Sequence, residues 1–366
     1  MQPHLSRAFP YPAGRPIEEV EREFGLRNVI KLASNENPLG PSPRAVVAMR
    51  KALATAHLYP DGGGFYLRQA LATHLRRGFG GQELGVEIDN IILGTGSNEI
   101  IEFLYHAFVG PGDEVVAGDR AFVIYSIMAK MFQARCVEVP FKGHTHDLRA
   151  MLAAITPKTK LVFVANPNNP TGTRVTNAEL DEFIRRLPAH VIAVLDEAYI
   201  EFLDDAPPSI EYAMKGNVVL LRTFSKIVGL AGLRIGYGVA QKECIALLQR
   251  VRQPFNVNAV DQAGALAALG DAAHIRKTKA LTRRGLAYLY REFKKLKLEF
   301  VPSCANFVLV NVGDGDEIFR ALQRRGVIVR PMRGYKMPAW VRVTVGTMDE
   351  NRRFIGALKA SLQEKP

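Results

Sequence analysis

The sequence predicts an α/β protein: a mostly parallel sheet with helices on both faces, joined to a smaller α+β domain. Three observations predict it. Short apolar runs at 161–165, 191–195 and 218–221, and one at 113–117 that opens on Asp113 and Glu114, alternate with amphipathic stretches of helical period. Strands that are apolar on both sides belong in a parallel sheet covered on both faces. Polar clusters follow three of these runs: NPNNPTG at 166–172, DEAY at 196–199 and TFSK at 223–226. Ligands in such sheets bind beyond the carboxyl ends of the strands, so three loops are expected to meet on one rim. After Gln241 the alternation gives way to helices followed by separated strands. The expected division is an N-terminal arm over 1–42 that belongs partly to the small domain, a large domain over 43–260, and a small domain over 261–366.

Taken in order, residues 1–40 are rich in Pro and Gly around a short helical piece at 17–24. PYPAGRP, which contains Tyr11, reads as an extended arm, and LASNENPLGPSP (32–43) as an ordered loop docked on another surface. A helix is expected from Pro43 to about His57. Three glycines at 62–64 then allow close backbone approach before the next helix. Residues 88–93 read as a strand running into GTGSN, with a helix starting near Ser97. That turn and helix N-terminus suit a phosphate, although Glu99 stands where a dinucleotide fingerprint has its third glycine, and no Gly-Lys-Ser/Thr follows. A plain helix cap is the alternative reading. Helices at 122–132, 148–154 and 177–187 and a strand at 135–139 complete the alternation. Beyond Gln241, helices are expected at 242–252, 260–269 and 272–297. Strands at 306–311, 327–330 and 340–345, a helix at 315–325 and a last helix from Asp349 follow.

Composition narrows the class. The chain has 366 residues, 48% apolar and 23% charged, with net charge +12. The basic residues are spread among acidic ones, and the densest region, 276–291, reads as the wet face of a long helix. No zinc-finger spacing or aromatic-basic RNA signature accompanies them, so the charge is read as an attraction for anionic small molecules and not for nucleic acid. Cys136, Cys244 and Cys304 are far apart and odd in number, which suggests reduced thiols in a cytoplasmic protein. His144 and His146 have no nearby Cys partners and suggest a solvated turn; no metal site is expected. There is no signal-peptide pattern and no apolar run of roughly 18 residues, so no membrane span is expected.

The chemistry centres on RTFSKIVGLAGLRIGYG (222–238). A buried lysine beside a cation loses its proton readily, and a neutral amine can form a Schiff base with an aldehyde. Arg234, Thr223 and Ser225 could cradle a phosphate. An aldehyde and a phosphate on one cofactor describe pyridoxal phosphate. Such an enzyme also needs an acid for the ring nitrogen, and Asp196 is the candidate. Asn169 and Tyr199 could hydrogen-bond the ring hydroxyl, and Phe122 could stack on the ring. A capping Asp, a turn Asn and core aromatics are the alternatives for each residue alone.

These motifs, together with PYPAGRPIEEV, YPDGGGFYLRQALA, DEAYIEF, QPFNVN and VRVTVGTMDEN, resemble fold-type I pyridoxal-phosphate aminotransferases, and among them the histidinol-phosphate aminotransferase family. The resemblance covers nearly the whole chain. It implies that Lys226 is the Schiff-base lysine and proton shuttle, and that Asp196 pairs with the pyridine nitrogen. It places Asn169 and Tyr199 at the ring hydroxyl. The phosphate would sit at Gly96, Ser97 and Asn98, with Thr223, Ser225, Arg234 and Tyr59 of a second subunit. Substrate binding is implied for Tyr11, Arg330 and Arg342, and the arginines would serve the phosphate of histidinol phosphate and the carboxylate of glutamate. Phe122 stands where many relatives carry Tyr, which keeps the stacking and loses a hydroxyl. The implied activity is transamination between histidinol phosphate and 2-oxoglutarate in histidine biosynthesis, by a homodimer with shared active sites. An aromatic amino-acid aminotransferase on the same scaffold is the alternative. A non-catalytic effector-binding module ranks below both, because no helix-turn-helix extension is present.

Overall fold

The structure, a computed structural model, describes residues 14–76 and 83–364. Among them a seven-stranded sheet runs in the order Ile91–Gly94, Gly236–Val239, Val218–Thr223, Ile192–Asp196, Thr159–Ala165, Glu114–Gly118, Arg135–Val139. The last five strands pair in parallel, and Gly236–Val239 is antiparallel to both its neighbours. Alternate residues of one strand feed different cores. Val162 and Val164 pack into one cluster, whereas Leu161 and Phe163 pack into another on the opposite face. That two-sided burial is why these strands read as continuous apolar runs instead of alternating ones.

Most expected elements stand within a residue or two of their expected limits; the single strand expected at 327–330 instead serves two sheets, Val327–Ile328 pairing with Ile30–Lys31 and Arg330–Pro331 with Trp340–Thr344, and other differences have local reasons. Residues 88–90 form a 3-10 turn, with a reciprocal cap between Glu87 and Asn90, and the strand starts only at Ile91. The helix expected to end near His57 stops at Ala52 and continues as a 3-10 turn, Leu53–Thr55. Phe122 precedes its helix, which spans Ile124–Met131. Helix Ser209–Lys215 was not foreseen, since seven residues give too little periodicity to detect.

The second architecture is a four-stranded antiparallel sheet ordered Arg330–Pro331, Trp340–Thr344, Phe307–Asn311, Phe300–Val301. The long basic helix, Ala272–Lys295, buries Leu289 and Phe293 in this sheet's core and leaves charged residues outside. The preceding helix, Ala259–Leu269, instead places Ala265 and Ala268 in the large sheet's core. Ile30–Lys31 pairs in parallel with Val327–Ile328. From there the chain crosses to the large sheet: Asn37 Nδ2 donates to Ile227 O (2.7 Å), and Ser42 N donates to Val228 O (3.2 Å). Gly229, at φ 75°, lies so close that a Cβ would meet Gly40 O at 2.1 Å. The loop read as docked is therefore clamped over the segment that carries Lys226. Among the described residues, no helix is long and apolar enough to cross a membrane, and no group of three His, Cys, Asp or Glu could hold a metal ion.

Candidate active site

The carboxyl ends of Thr159–Ala165, Ile192–Asp196 and Val218–Thr223 open on a cavity of about 330 Å³. Asn169, Asp196, Tyr199, Thr223, Ser225 and Lys226 line it from these three loops. Ser97, Asn98, Phe122, Arg234, Arg330 and Arg342 reach it from elsewhere in the chain.

One end is built for an anion. Helix Ser97–Phe108 begins at Gly96, whose φ of 73° suits glycine and which supplies no capping side chain, so the first-turn N–H groups remain available. A Cβ on Gly96 would come within 2.8 Å of the Arg234 guanidinium, and one on Gly236 within 2.5 Å of Ser97 N. Two glycines thus let a guanidinium and a strand crowd a helix N-terminus, where positive potential already collects. Arg234 itself is left-handed (φ 55°) and its Nη1 donates to Ser225 Oγ at 3.3 Å. Thr223 Oγ1 donates to the same oxygen at 2.9 Å.

The middle of the cavity carries an amine and a carboxylate. Lys226 Nζ donates to Ser34 O at 3.3 Å. Burial, and then the charge of Arg342, push its ammonium down to about 8, with Arg234 adding to the effect and Glu36 and Asp196 opposing it. Asp196 ends its strand only 6% exposed. Burial raises its carboxyl above the ordinary value, against a 2.7 Å hydrogen bond donated by Tyr125 and another from Ala198 N at 3.2 Å. The Tyr199 phenol is pushed up to about 12, chiefly by burial, so it stays a proton donor.

The direction of the Tyr199 proton follows from its neighbours. Thr344 Oγ1 accepts the backbone N–H of Asn35 (2.9 Å), so its own proton goes to Asn35 Oδ1 (3.2 Å). That leaves Asn35 Nδ2 to donate to Tyr199 OH at 2.8 Å, and the Tyr199 proton is free to point into the cavity. Asn35, at φ 57°, was quoted within a motif but given no role. Tyr125 was read only as part of a helix, and Tyr335, which also lines the cavity, was not singled out. Their contacts join segments far apart in sequence, and no local pattern carries such information.

Arg330 and Arg342, which also line the cavity, are direct cross-strand partners on antiparallel strands. Arg342 is 6% exposed, with donors to Asn169 Oδ1 and to Ala33 O (2.6 Å), and its guanidinium lies 5.3 Å from the Phe307 ring centroid. Like charges placed opposite each other repel, and an anion between them removes the penalty. Tyr59 does not line this cavity; it is 83% exposed and stacks on Phe255 at 4.8 Å. Tyr11 lies outside the described residues. The expected turn forms at 142–145, where Lys142 N donates to Thr145 O at 3.1 Å and Thr145 N to Lys142 O at 3.2 Å, but its histidines are not solvated: His146 is 6% exposed and packs on Phe141, while His144 meets Trp340 edge-on.

An amine held near neutrality, a buried carboxylate and a glycine-lined anion cradle are together the donor set that pyridoxal phosphate requires. The family model for class I and II aminotransferases matches residues 27–358, and the chain belongs to that family: it is a pyridoxal-phosphate-dependent enzyme. Among curated relatives, the histidinol-phosphate aminotransferase of Moorella thermoacetica is 49% identical over 358 residues, covering 96% of this chain and 90% of the relative. Histidinol-phosphate aminotransferase 1 of Cupriavidus pinatubonensis is 50% identical over 363 residues, covering 97% and 94%. The crystal structure of histidinol-phosphate aminotransferase from Sinorhizobium meliloti in complex with pyridoxal-5'-phosphate superposes with TM-score 0.88 at 28% identity, covering 99% of this chain and 97% of that one. A Thermus thermophilus aspartate aminotransferase double mutant gives TM-score 0.85 at 26% identity, covering 98% of each.

Proposed function

We infer that this chain transfers an amino group between histidinol phosphate, with its ketone imidazole-acetol phosphate, and the glutamate/2-oxoglutarate pair, in histidine biosynthesis. The observation that carries the substrate is the cross-strand pair Arg330 and Arg342, both of which line the cavity. Two adjacent guanidinium groups suit a phosphate dianion, and either can grip a carboxylate in the other half-reaction. The near-full-length relatives named for this activity support the same reading. Bound pyridoxal phosphate supplies an aldehyde for amine exchange and an electron-withdrawing ring. In this reading Lys226 holds it covalently and moves the proton, because an amine near 8 can both give and take one at neutral pH. Asp196 keeps a negative charge facing the ring nitrogen, and Tyr199 and Asn169 bind the ring hydroxyl. Ser97, Asn98, Thr223, Ser225 and Arg234, with the Gly96 backbone, hold the phosphate, and Phe122 covers the ring. Tyr11 belongs to the same proposal as a substrate contact.

We read the chain as a homodimer in which Tyr59 completes the partner's phosphate site. Leu53, Leu58, Tyr59, Phe65 and Tyr66 are all exposed in one stretch, and such a concentration of apolar surface supports burial against a second copy. The proposed division is the arm and large and small domains at 1–42, 43–260 and 261–366. A cytoplasmic setting is supported by three free cysteines. The test is steady-state kinetics with histidinol phosphate, phenylalanine and tyrosine as amino donors. Histidinol phosphate should have the highest kcat/KM; a wide preference for phenylalanine would replace this reading with an aromatic aminotransferase.

A further inference from the structure

Tyr125 lies behind the cavity and not in its wall, yet its hydroxyl donates to Asp196 Oδ2 at 2.7 Å. It is 1% exposed and comes from helix Ile124–Met131, which packs into the core on the opposite face of the sheet from the one that holds Phe224 and Ile227, on either side of Lys226. Its ring is held by two aromatic neighbours and its backbone by a third. It stacks on Phe163 with centroids 4.4 Å apart and planes 11° from parallel, and it meets Phe122 edge-on at 5.8 Å. Its backbone carbonyl accepts the Tyr105 hydroxyl at 2.6 Å. A hydroxyl held this firmly makes a charge-assisted bond to a carboxylate that has lost most of its water. The only other donor to that carboxylate is the longer Ala198 N contact on Oδ1, among the hydrogen bonds of the described residues.

We propose that Tyr125 is a positioning residue of the transamination, keeping Asp196 charged and in one orientation through the proton it donates to Oδ2. The proposal rests on Asp196 facing the cofactor ring nitrogen as read above. Burial works to protonate Asp196, and the neighbouring Glu197 works the same way; Tyr125 and the Lys226 ammonium oppose them, and the Tyr199 phenol stands nearby. The Tyr125 phenol is held well above its ordinary range by burial and by Asp196 itself, so it remains the donor throughout the working pH range. Without it, Oδ2 would be a buried acceptor with no partner, and the carboxyl would be neutralised at higher pH. Since Phe122 touches both the cavity and this ring, the same contact ties the orientation of the acid to the wall of the cofactor site.

The experiment compares native holoenzyme with Tyr125→Phe and Asp196→Asn, reading kcat and KM across pH and the pH titration of the bound cofactor's visible absorption. Tyr125→Phe should lower kcat roughly tenfold with KM little changed, the size expected for one hydrogen bond to a charged group. The acid limbs of both the kcat/KM profile and the absorption titration should move to higher pH. Limbs that stay in place would overturn the proposal even if kcat fell, because a merely structural defect does not move them. If Tyr125→Phe does not fold, a ring-fluorinated tyrosine at 125 keeps the shape with a more acidic phenol. It should move both limbs to lower pH, and an unmoved limb again overturns the role. Unchanged turnover in Asp196→Asn would instead sink the assignment of Asp196, a separate result.

Discussion

At the scale of single residues, the site depends on what burial does to charge. Lys226 titrates near 8, down from the ordinary 10.5, because desolvation and Arg342 disfavour its ammonium. Raising pH through 8 therefore frees its amine while ordinary lysines remain charged. In cofactor-free protein, acylation of Lys226 should rise through about pH 8, read by mass spectrometry of the labelled peptide; a rise only near 10.5 would contradict the assignment. Lys226→Ala should bind pyridoxal phosphate without the visible absorption of the covalent form and should show no turnover. Asp196→Asn keeps the shape and removes the charge, so kcat should fall roughly a hundredfold or more while cofactor affinity changes less. Arg342→Lys replaces a planar fork that spans Asn169 and Ala33 with a single ammonium. It should raise KM for histidinol phosphate and for glutamate alike in steady-state assays.

At the scale of elements, close approach decides what is tolerated. Gly229 fits under the 29–42 crossing only because it has no Cβ; its φ of 75° and the 2.1 Å to Gly40 O leave no room for one. Gly229→Ala should force the crossing off the Lys226 segment, costing more than the ~1 kcal/mol of a left-handed alanine and lowering Tm. Calorimetry checks this, and an unchanged Tm would show that the clamp carries no strain. The elements legible from sequence were those with two-sided burial, such as Thr159–Ala165, where every residue from Leu161 on is buried. The ones missed were short or glycine-rich. Gly236–Val239 was not read as a strand, since half its residues are glycine. Ile88–Asn90 imitated a strand because its capping pair, Glu87 and Asn90, acts through side chains that a hydropathy pattern does not register. In the site, Lys226, Asp196 and Asn169 could be found because each ends or follows a strand. Asn35 and Tyr125 could not, because their partners lie 164 and 71 residues away.

At the scale of the whole molecule, the distribution of apolar surface bears on the oligomer. The chain carries net charge +12, yet Leu53, Leu58, Phe65 and Tyr66 stand exposed together beside Tyr59. Tyr59 lies outside its own chain's cavity, so a role at the cofactor phosphate requires a second copy. Tyr59→Ala should then raise the cofactor Kd roughly tenfold, the loss of one hydrogen bond to a charged group. Mixing distinguishes where the residue acts. Tyr59→Ala chains retain Lys226, and Lys226→Ala chains retain Tyr59, so a hybrid of the two contains one site with both residues intact. At limiting pyridoxal phosphate, mixing the two variants after partial unfolding and refolding should restore turnover that neither shows alone. The Lys226→Ala partner contributes no active site of its own, so any recovery must come from Tyr59 crossing the interface. Turnover no higher than the sum of the separate variants would mean that Tyr59 serves only its own chain or not the phosphate at all. In that outcome the exposed stretch would still need a partner surface, but the two sites would be independent.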